Sequence, residues 1–311
     1  MDLSLTVLNQ VLVMFALIAI GYFCFKIKLI DDSGKQQLTN LLLFVVNPMV
    51  VINAYQIDFN PQLANNLLIA FGLAVFSHIL AMGIAYLFIQ GKNNQHRASI
   101  ERFSVIYTNC GFMALPLINA LFGNEGVFYA SAYVTIFNLL SWTHGYVTMS
   151  GKADKKAMLK SLVSPVVVSV FVGIIMFYLN LKLPFVLATT VSAMASLNTP
   201  LAMVVTGVSL AQTKILSAFK TLRCYYIVFL MNVLVPLCAM IIYLFLPLDS
   251  NLLIVNLVST ACPCAVTTLL FASKFDRDSA YASKLLTLSN VTCIVTIPGI
   301  IFLYQILSKL I

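Results

Sequence analysis

An all-α integral membrane protein of ten spans is the fold class this 311-residue sequence predicts, from its composition and from the placement of its basic residues. Apolar residues make up 61% of the chain and charged residues 9%, and the mean hydropathy is +0.98. Such values describe a chain made mostly of lipid-soluble helix. The 18 Lys and Arg residues fall almost entirely in alternate gaps between apolar runs. Each run approaches the roughly 20 residues needed to cross a hydrocarbon core about 30 Å thick.

Taken in order, span 1 covers residues 5–25 and is followed by Lys26, Lys28 and Lys35. Span 2 (36–55) contains Asn47-Pro48, and span 3 (66–89) is followed by Lys92, Arg97 and Arg102. Span 4 (104–122) holds the run from Asn109 to Pro116, and span 5 (126–149) is followed by Lys152, Lys155, Lys156 and Lys160. Span 6 (161–179) is followed by Lys182 alone. Span 7 (185–210) contains Asn198-Thr199-Pro200 and is followed by Lys214, Lys220 and Arg223; span 8 covers 222–245. Span 9 (252–273) holds the run from Ser259 to Thr268 and is followed by Lys274, Arg277 and Lys284; Lys309 follows span 10 (285–307). Basic loops stay cytoplasmic, so the odd gaps are inside and both termini are outside, in a cell membrane. No span interior holds Asp, Glu, Lys or Arg.

The net charge of +8 is therefore a signal of topology and not of nucleic-acid binding. Residues 1–25 have neither a basic leading segment nor a small-residue cleavage site, so the first span is expected to be retained. Seven cysteines scattered through apolar segments form no disulfide framework. Catalysis would need a base, an acid or a metal site. His78 and His144, the titratable groups inside spans, have no carboxylate partner there, so the sequence predicts no enzyme, no cofactor and no metal centre.

The central basic loop divides the chain. An offset of 152 brings Gly21 onto Gly173, Pro48 onto Pro200, and Tyr129-Ala130-Ser131 onto Tyr281-Ala282-Ser283, the mark of a duplication. Residues 1–150 and 151–311 each hold five spans. An odd number makes the second half enter the membrane from the opposite side, which is the inverted repeat of many secondary transporters.

Proline inside a helix removes a hydrogen bond and clashes with the carbonyl four residues back. In lipid the freed groups need protein, water or ligand partners. Pro48, Pro116, Pro200 and Pro263 mark four such breaks, each beside polar residues that suit a solute: Asn47, Asn109, Cys110, Gly111, Asn198, Thr199, Thr267 and Thr268. Pro165, Pro236 and Pro298 read as structural kinks. Half-helices starting at the breaks in spans 4 and 9 would aim their positive ends at the midplane, where an anion could sit without Arg or Lys.

The run Asn109 to Gly123, with Asn seven residues before Pro116, then Leu117 and Leu121-Phe122-Gly123, resembles the fourth helix of the auxin efflux carrier family. That family includes plant PIN-type auxin exporters and bacterial malate or malonate permeases. Span 9 is similar, with Pro263, Leu270-Phe271-Ala272 and a short charged loop from Lys274 to Asp278. So are Gly21-Tyr22, Asn40, Pro48, Pro200-Leu201, Gly207 and Leu210-Ala211. The resemblance implies a fold like that of sodium/proton antiporters and bile-acid symporters, with broken helices 4 and 9 crossing. It also implies a carboxylate substrate held in part by Asn109. Helices 3 to 5 and 8 to 10 would carry substrate, while helices 1, 2, 6 and 7 would form the scaffold and a homodimer face. The short central loop favours a bacterial permease, and Thr268 stands where plant members have a second proline.

The expected function is secondary transport of a small organic anion such as malate or malonate, with Asn138 adding to the site. The alternative is export of a larger aromatic or amphipathic acid. A remote one is soft-metal transport through Cys262 and Cys264, since thiolates suit soft metals. His144, beside Ser141, Thr143 and Asn138, is the candidate for proton coupling. Without a carboxylate relay, movement driven by the membrane potential is favoured over a proton mechanism.

Overall fold

The computed structural model describes residues 3–91, 94–153, 163–213 and 218–310. Lys92, Lys155, Lys156, Lys160, Lys214 and the first residues assigned to span 6 lie outside the described residues. The chain is helical, with no β-strand among the described residues. In chain order the helices are α1 (Leu3–Lys26), α2 (Asp32–Ala54), α3 (Pro61–Phe88), α4 (Gln95–Ile106), α5 (Leu115–Leu140), α6 (Tyr146–Ser150), α7 (Pro165–Tyr178), α8 (Phe185–Ala211), α9 (Leu222–Leu244), α10 (Ser250–Ala261), α11 (Val266–Lys274) and α12 (Ser279–Leu307). Among the described residues six segments are each long and apolar enough to cross a membrane: Leu5–Lys26, Asp32–Ala54, Pro61–Phe88, Phe185–Ala211, Leu222–Leu244 and Ser279–Leu307.

Proline chemistry shapes three of these helices in one way. Turns of π-helix at Leu42–Val46, Cys110–Ala114 and Leu230–Leu234 each end two residues before a proline, Pro48, Pro116 and Pro236. In each case the residue just before the proline donates five residues back: Asn47 to Leu42, Leu115 to Cys110, Val235 to Leu230. The wider turn moves the carbonyl that would strike the proline ring. Pro236 thus belongs with the two site prolines. Pro165 opens α7 at a first-turn position, where a missing N–H costs nothing. A fourth π turn, Ser141–Gly145, joins α5 to α6 and carries His144.

Gly123 breaks α5 with φ 59° and ψ −148°, a conformation open essentially to glycine alone. That single residue turns the chain from span 4 into span 5.

Small residues let α1 and α8 touch backbone to backbone. A Cβ on Gly207 would lie 2.0 Å from the Ile18 carbonyl oxygen, and one on Gly21 would lie 2.3 Å from that of Val204. This is the close approach that membrane helices use where apolar burial provides little drive. At one end of the molecule an aromatic plug joins α2, α5 and α7. Tyr55 and Phe128 rings lie 4.7 Å apart, Phe128 and Phe177 lie 5.0 Å apart, and the Tyr55 hydroxyl is 2.9 Å from Ser131 Oγ. A Cβ on Gly173 of α7 would meet the Tyr55 ring at 2.7 Å.

The buried charge of the fold lies where the sequence reading placed no span. Helix α4 starts at Gln95, ahead of the expected start at residue 104, and it buries Glu101. Arg223 grips that carboxylate with two bonds of 3.0 and 2.6 Å, Arg97 reaches it at 3.3 Å, and the Tyr281 hydroxyl donates at 2.8 Å. A carboxylate removed from water is stable only with such partners, so Glu101 pins α4 to α9 and α12.

Candidate functional site

Two helix breaks meet near the middle of the molecule. Helix α4 ends at Ile106 and helix α10 ends at Ala261. The segments that follow run antiparallel, with Thr108 opposite Cys264. The Asn109 N–H donates to the Pro263 carbonyl at 2.7 Å, and the Ala265 N–H donates to the Tyr107 carbonyl at 3.1 Å. Thr108 Oγ1 donates to the Ser259 carbonyl at 2.8 Å, and the Cys264 N–H donates to Ser289 Oγ at 3.2 Å. Backbone groups freed by the breaks thus satisfy one another, as an apolar interior requires.

A cavity of about 230 Å³ abuts this crossing. It is smaller than pockets for drug-sized ligands, which run to about 300–1,000 Å³. Gly111 and Phe112 from one break and Val266 and Thr267 from the other line it, so the first turns of both outgoing half-helices face it. Their leading N–H groups have no intrahelical acceptor. Asn47, Asn109, Asn138 and Thr267, four of the polar residues expected at the site, line the cavity together with Thr39 and Ser164. Among the described residues no Asp, Glu, Lys, Arg or His lines it.

Three buried polar atoms on this wall have no hydrogen-bond partner among the described residues: Asn109 Nδ2, Thr267 Oγ1 and Ser164 Oγ. Buried polar groups are nearly always paired, and leaving one unpaired costs about 1–3 kcal/mol. Three lining one cavity leave polar groups free to meet a polar guest. Ser164 went unnoticed in the sequence because it precedes α7 in a helix-start position and signals only a cap.

The remaining candidates sit around the cavity and do not line it. Asn198 donates its amide to Asn47 Oδ1 at 2.7 Å, tying the two prolyl breaks of α2 and α8 together. Thr199 is half-buried and Pro200 exposed next to it. Cys110 is fully buried. Thr268 is engaged by Cys264 Sγ at 3.2 Å. Cys262 and Cys264 lie on either side of Pro263 and are fully buried. Among the described residues no group of three His, Cys, Asp or Glu side chains could hold a metal.

His144 lies outside the cavity lining and bridges helices. Its Nδ1 is 2.8 Å from the Tyr107 hydroxyl and its Nε2 is 3.0 Å from the Tyr86 hydroxyl. Both ring nitrogens therefore face neutral hydroxyl partners, one of them on Tyr107 at the crossing. His78 is bonded within its own helix, Nδ1 to the Ala74 carbonyl at 2.7 Å, and packs 4.8 Å from the Tyr133 ring.

Comparison with protein families gives a match to the model described as membrane transport protein, over residues 6–158 and 152–301. Comparison with curated proteins returns no match.

Proposed function

Because the chain belongs to the auxin efflux carrier family of membrane transport proteins, we propose that it is a secondary transporter of small organic anions, with malate and malonate as the first candidates. The observation that carries this reading is the trio of unpartnered polar atoms, Asn109 Nδ2, Thr267 Oγ1 and Ser164 Oγ, on one cavity beside the crossing. The amide nitrogen is a donor suited to carboxylate oxygen, and both hydroxyls can donate. The outgoing half-helices add positive partial charge at the same place.

Alternating access is the mechanism we assign. Counting each broken pair as one crossing gives ten membrane passages, in two five-helix halves of opposite orientation. Support comes from packing as well as sequence. Gly21 meets the backbone of α8 near Gly207, and Gly173 meets Tyr55; the offset of 152 carries each member of the first pair onto one of the second. By the distribution of basic residues both termini are outside the plasma membrane, and the cavity opens toward the cytoplasm. From the crossing it follows α2 back to Thr39, α5 and the turn after it to Trp142, and α11 to Leu270. The outer end is closed by Tyr55, Phe128 and Phe177. Rocking of α3–α6 and α9–α12 against α1, α2, α7 and α8 would break that plug and close the inner side. The exposed Phe185, Val186 and Leu187 of α8 suit the homodimer face assigned to the scaffold.

A second reading, transport of a larger amphipathic or aromatic acid, is favoured by one observation. The walls are mostly apolar, with Phe44, Phe112, Phe137 and Trp142 among them. A second carboxylate there would find no cation among the described lining residues, and burying an unpaired charge is expensive.

The driving force is assigned to the membrane potential, about 2.3 kcal/mol per charge per 100 mV. In proteoliposomes with equal pH on both sides, malate uptake should rise with an inside-positive voltage. His144→Gln, which keeps a hydrogen-bonding side chain, should retain that dependence. Accumulation driven by a pH gradient alone at zero voltage, and lost in His144→Gln, would replace this mechanism with proton coupling.

A further inference from the structure

Among the described residues no cation lines the cavity, yet one stands at its edge. Lys274 is the last residue of α11, one turn beyond the cavity-lining Leu270 and on the same face of the helix. Its Nζ lies 5.7 Å from the centre of the Trp142 ring, 5.5 Å from that of Tyr146 and 5.5 Å from that of Phe275. Trp142 itself lines the cavity. Three aromatic faces therefore hold one ammonium beside the inner mouth.

The ordinary role for a lysine in a helix's last turn is to complement the negative end of the dipole. Two facts exceed that role. Among the described residues the ion pairs engage Arg97, Lys182 and Arg223, and none engages Lys274. Of the acidic residues that follow it, Asp278 is occupied in capping α12, accepting from the Tyr281 N–H at 2.8 Å. Among the described residues the ammonium is held by ring faces. Cation–π contacts at open sites are weak, and a charge-assisted bond to a carboxylate is stronger.

We infer that Lys274 is a docking residue for the carboxylate of the transported anion at the cytoplasmic mouth, exchanging its aromatic cage for the substrate as the anion enters or leaves. The inference rests on the transporter reading. It supplies a positive charge that the described lining lacks, one that raises the local anion concentration without being buried with the substrate, where it would hinder release.

The test uses the purified full chain and the fluorescence of Trp142, its single tryptophan. Malonate, malate and phenylacetate are titrated into the unaltered protein and into Lys274→Gln, Lys274→Arg and Lys220→Gln. Lys220→Gln removes an exposed charge that borders no described cavity wall. In Lys274→Gln the Kd should rise about five- to tenfold and lose most of its salt dependence, in keeping with a partly screened charge pair. Lys274→Arg should bind within about twofold of the unaltered protein, since Arg keeps both the charge and the stacking. Lys220→Gln should also bind normally. An unchanged Kd and salt dependence in Lys274→Gln, or an equal loss in Lys220→Gln, overturns the docking role. If none of the three acids changes Trp142 emission in the unaltered protein, the organic-anion reading itself fails and takes this inference with it.

Discussion

Asn109→Ala removes most transport and leaves the protein folded. The two halves of this expectation come from different atoms of the same residue. The backbone N–H of Asn109 holds the crossing through its 2.7 Å bond to Pro263, and alanine keeps that bond. The side-chain Nδ2 has no partner among the described residues, so its loss breaks no protein contact and relieves an unsatisfied donor. What disappears is a bond to the guest, worth about 1.5–3 kcal/mol when the acceptor is charged, or roughly a 10- to 150-fold loss of affinity. Initial uptake rates should fall by that order at subsaturating substrate, with a melting temperature within about 1 °C of the parent. Normal uptake would remove Asn109 from the site, and a large fall in melting temperature would make it a structural residue.

Gly207→Leu should prevent assembly of the scaffold. A Cβ there would sit 2.0 Å from the Ile18 carbonyl oxygen and 2.8 Å from the Tyr22 nitrogen. Both neighbours are backbone and cannot rotate away, so α1 and α8 must separate. Overpacking of side chains alone costs about 1–3 kcal/mol, and here the longest helix contact of the scaffold is forced open. The expected result is a loss of monodisperse protein in detergent. Gly83→Ala is the matched control, because nothing lies within 4 Å of a Cβ at that position. It should express normally and gain slightly from helix propensity, about 0.5–1 kcal/mol. Normal behaviour of Gly207→Leu would mean that α1 and α8 are not packed this tightly.

Much of the fold can be read from the sequence because membrane insertion leaves a simple record. Apolar length and basic loops place the helices, and a proline beside Asn or Thr places the breaks. Glu101 escapes that reading for a physical reason. The stretch 95–106 is too polar to look like a span, and the partners of its buried Glu101, the Arg223 guanidinium and the Tyr281 hydroxyl, lie more than a hundred residues away in the chain. The site is legible only in part. Asn47, Asn109 and Thr267 are recognisable as polar groups near breaks and Asn138 as a polar residue within span 5, and all four line the cavity. Asn198, Cys110 and Thr268 share the same pattern but turn toward protein partners or the packed interior, which only the rotation of each helix decides. Ser164 and Trp142 reach the cavity through tertiary packing, and the cage around Lys274 joins residues 142, 146 and 275. Neither leaves a local signal. His144, the candidate for proton coupling, stands outside the cavity lining with its ring nitrogens on two tyrosine hydroxyls, a placement that its position in the sequence does not disclose.

The central claim is that the cavity at the crossing binds a small organic anion through its unpartnered polar groups. The most direct measurement is a titration of Trp142 emission in the purified chain with malonate, malate and phenylacetate beside malonamide and phenylacetamide, neutral amides that keep the size but not the charge. The account predicts a saturable change with at least one acid, more than tenfold weaker binding in Asn109→Ala, and little or no response to the amides. No saturable response to any acid, or equal responses to acids and amides, would contradict it.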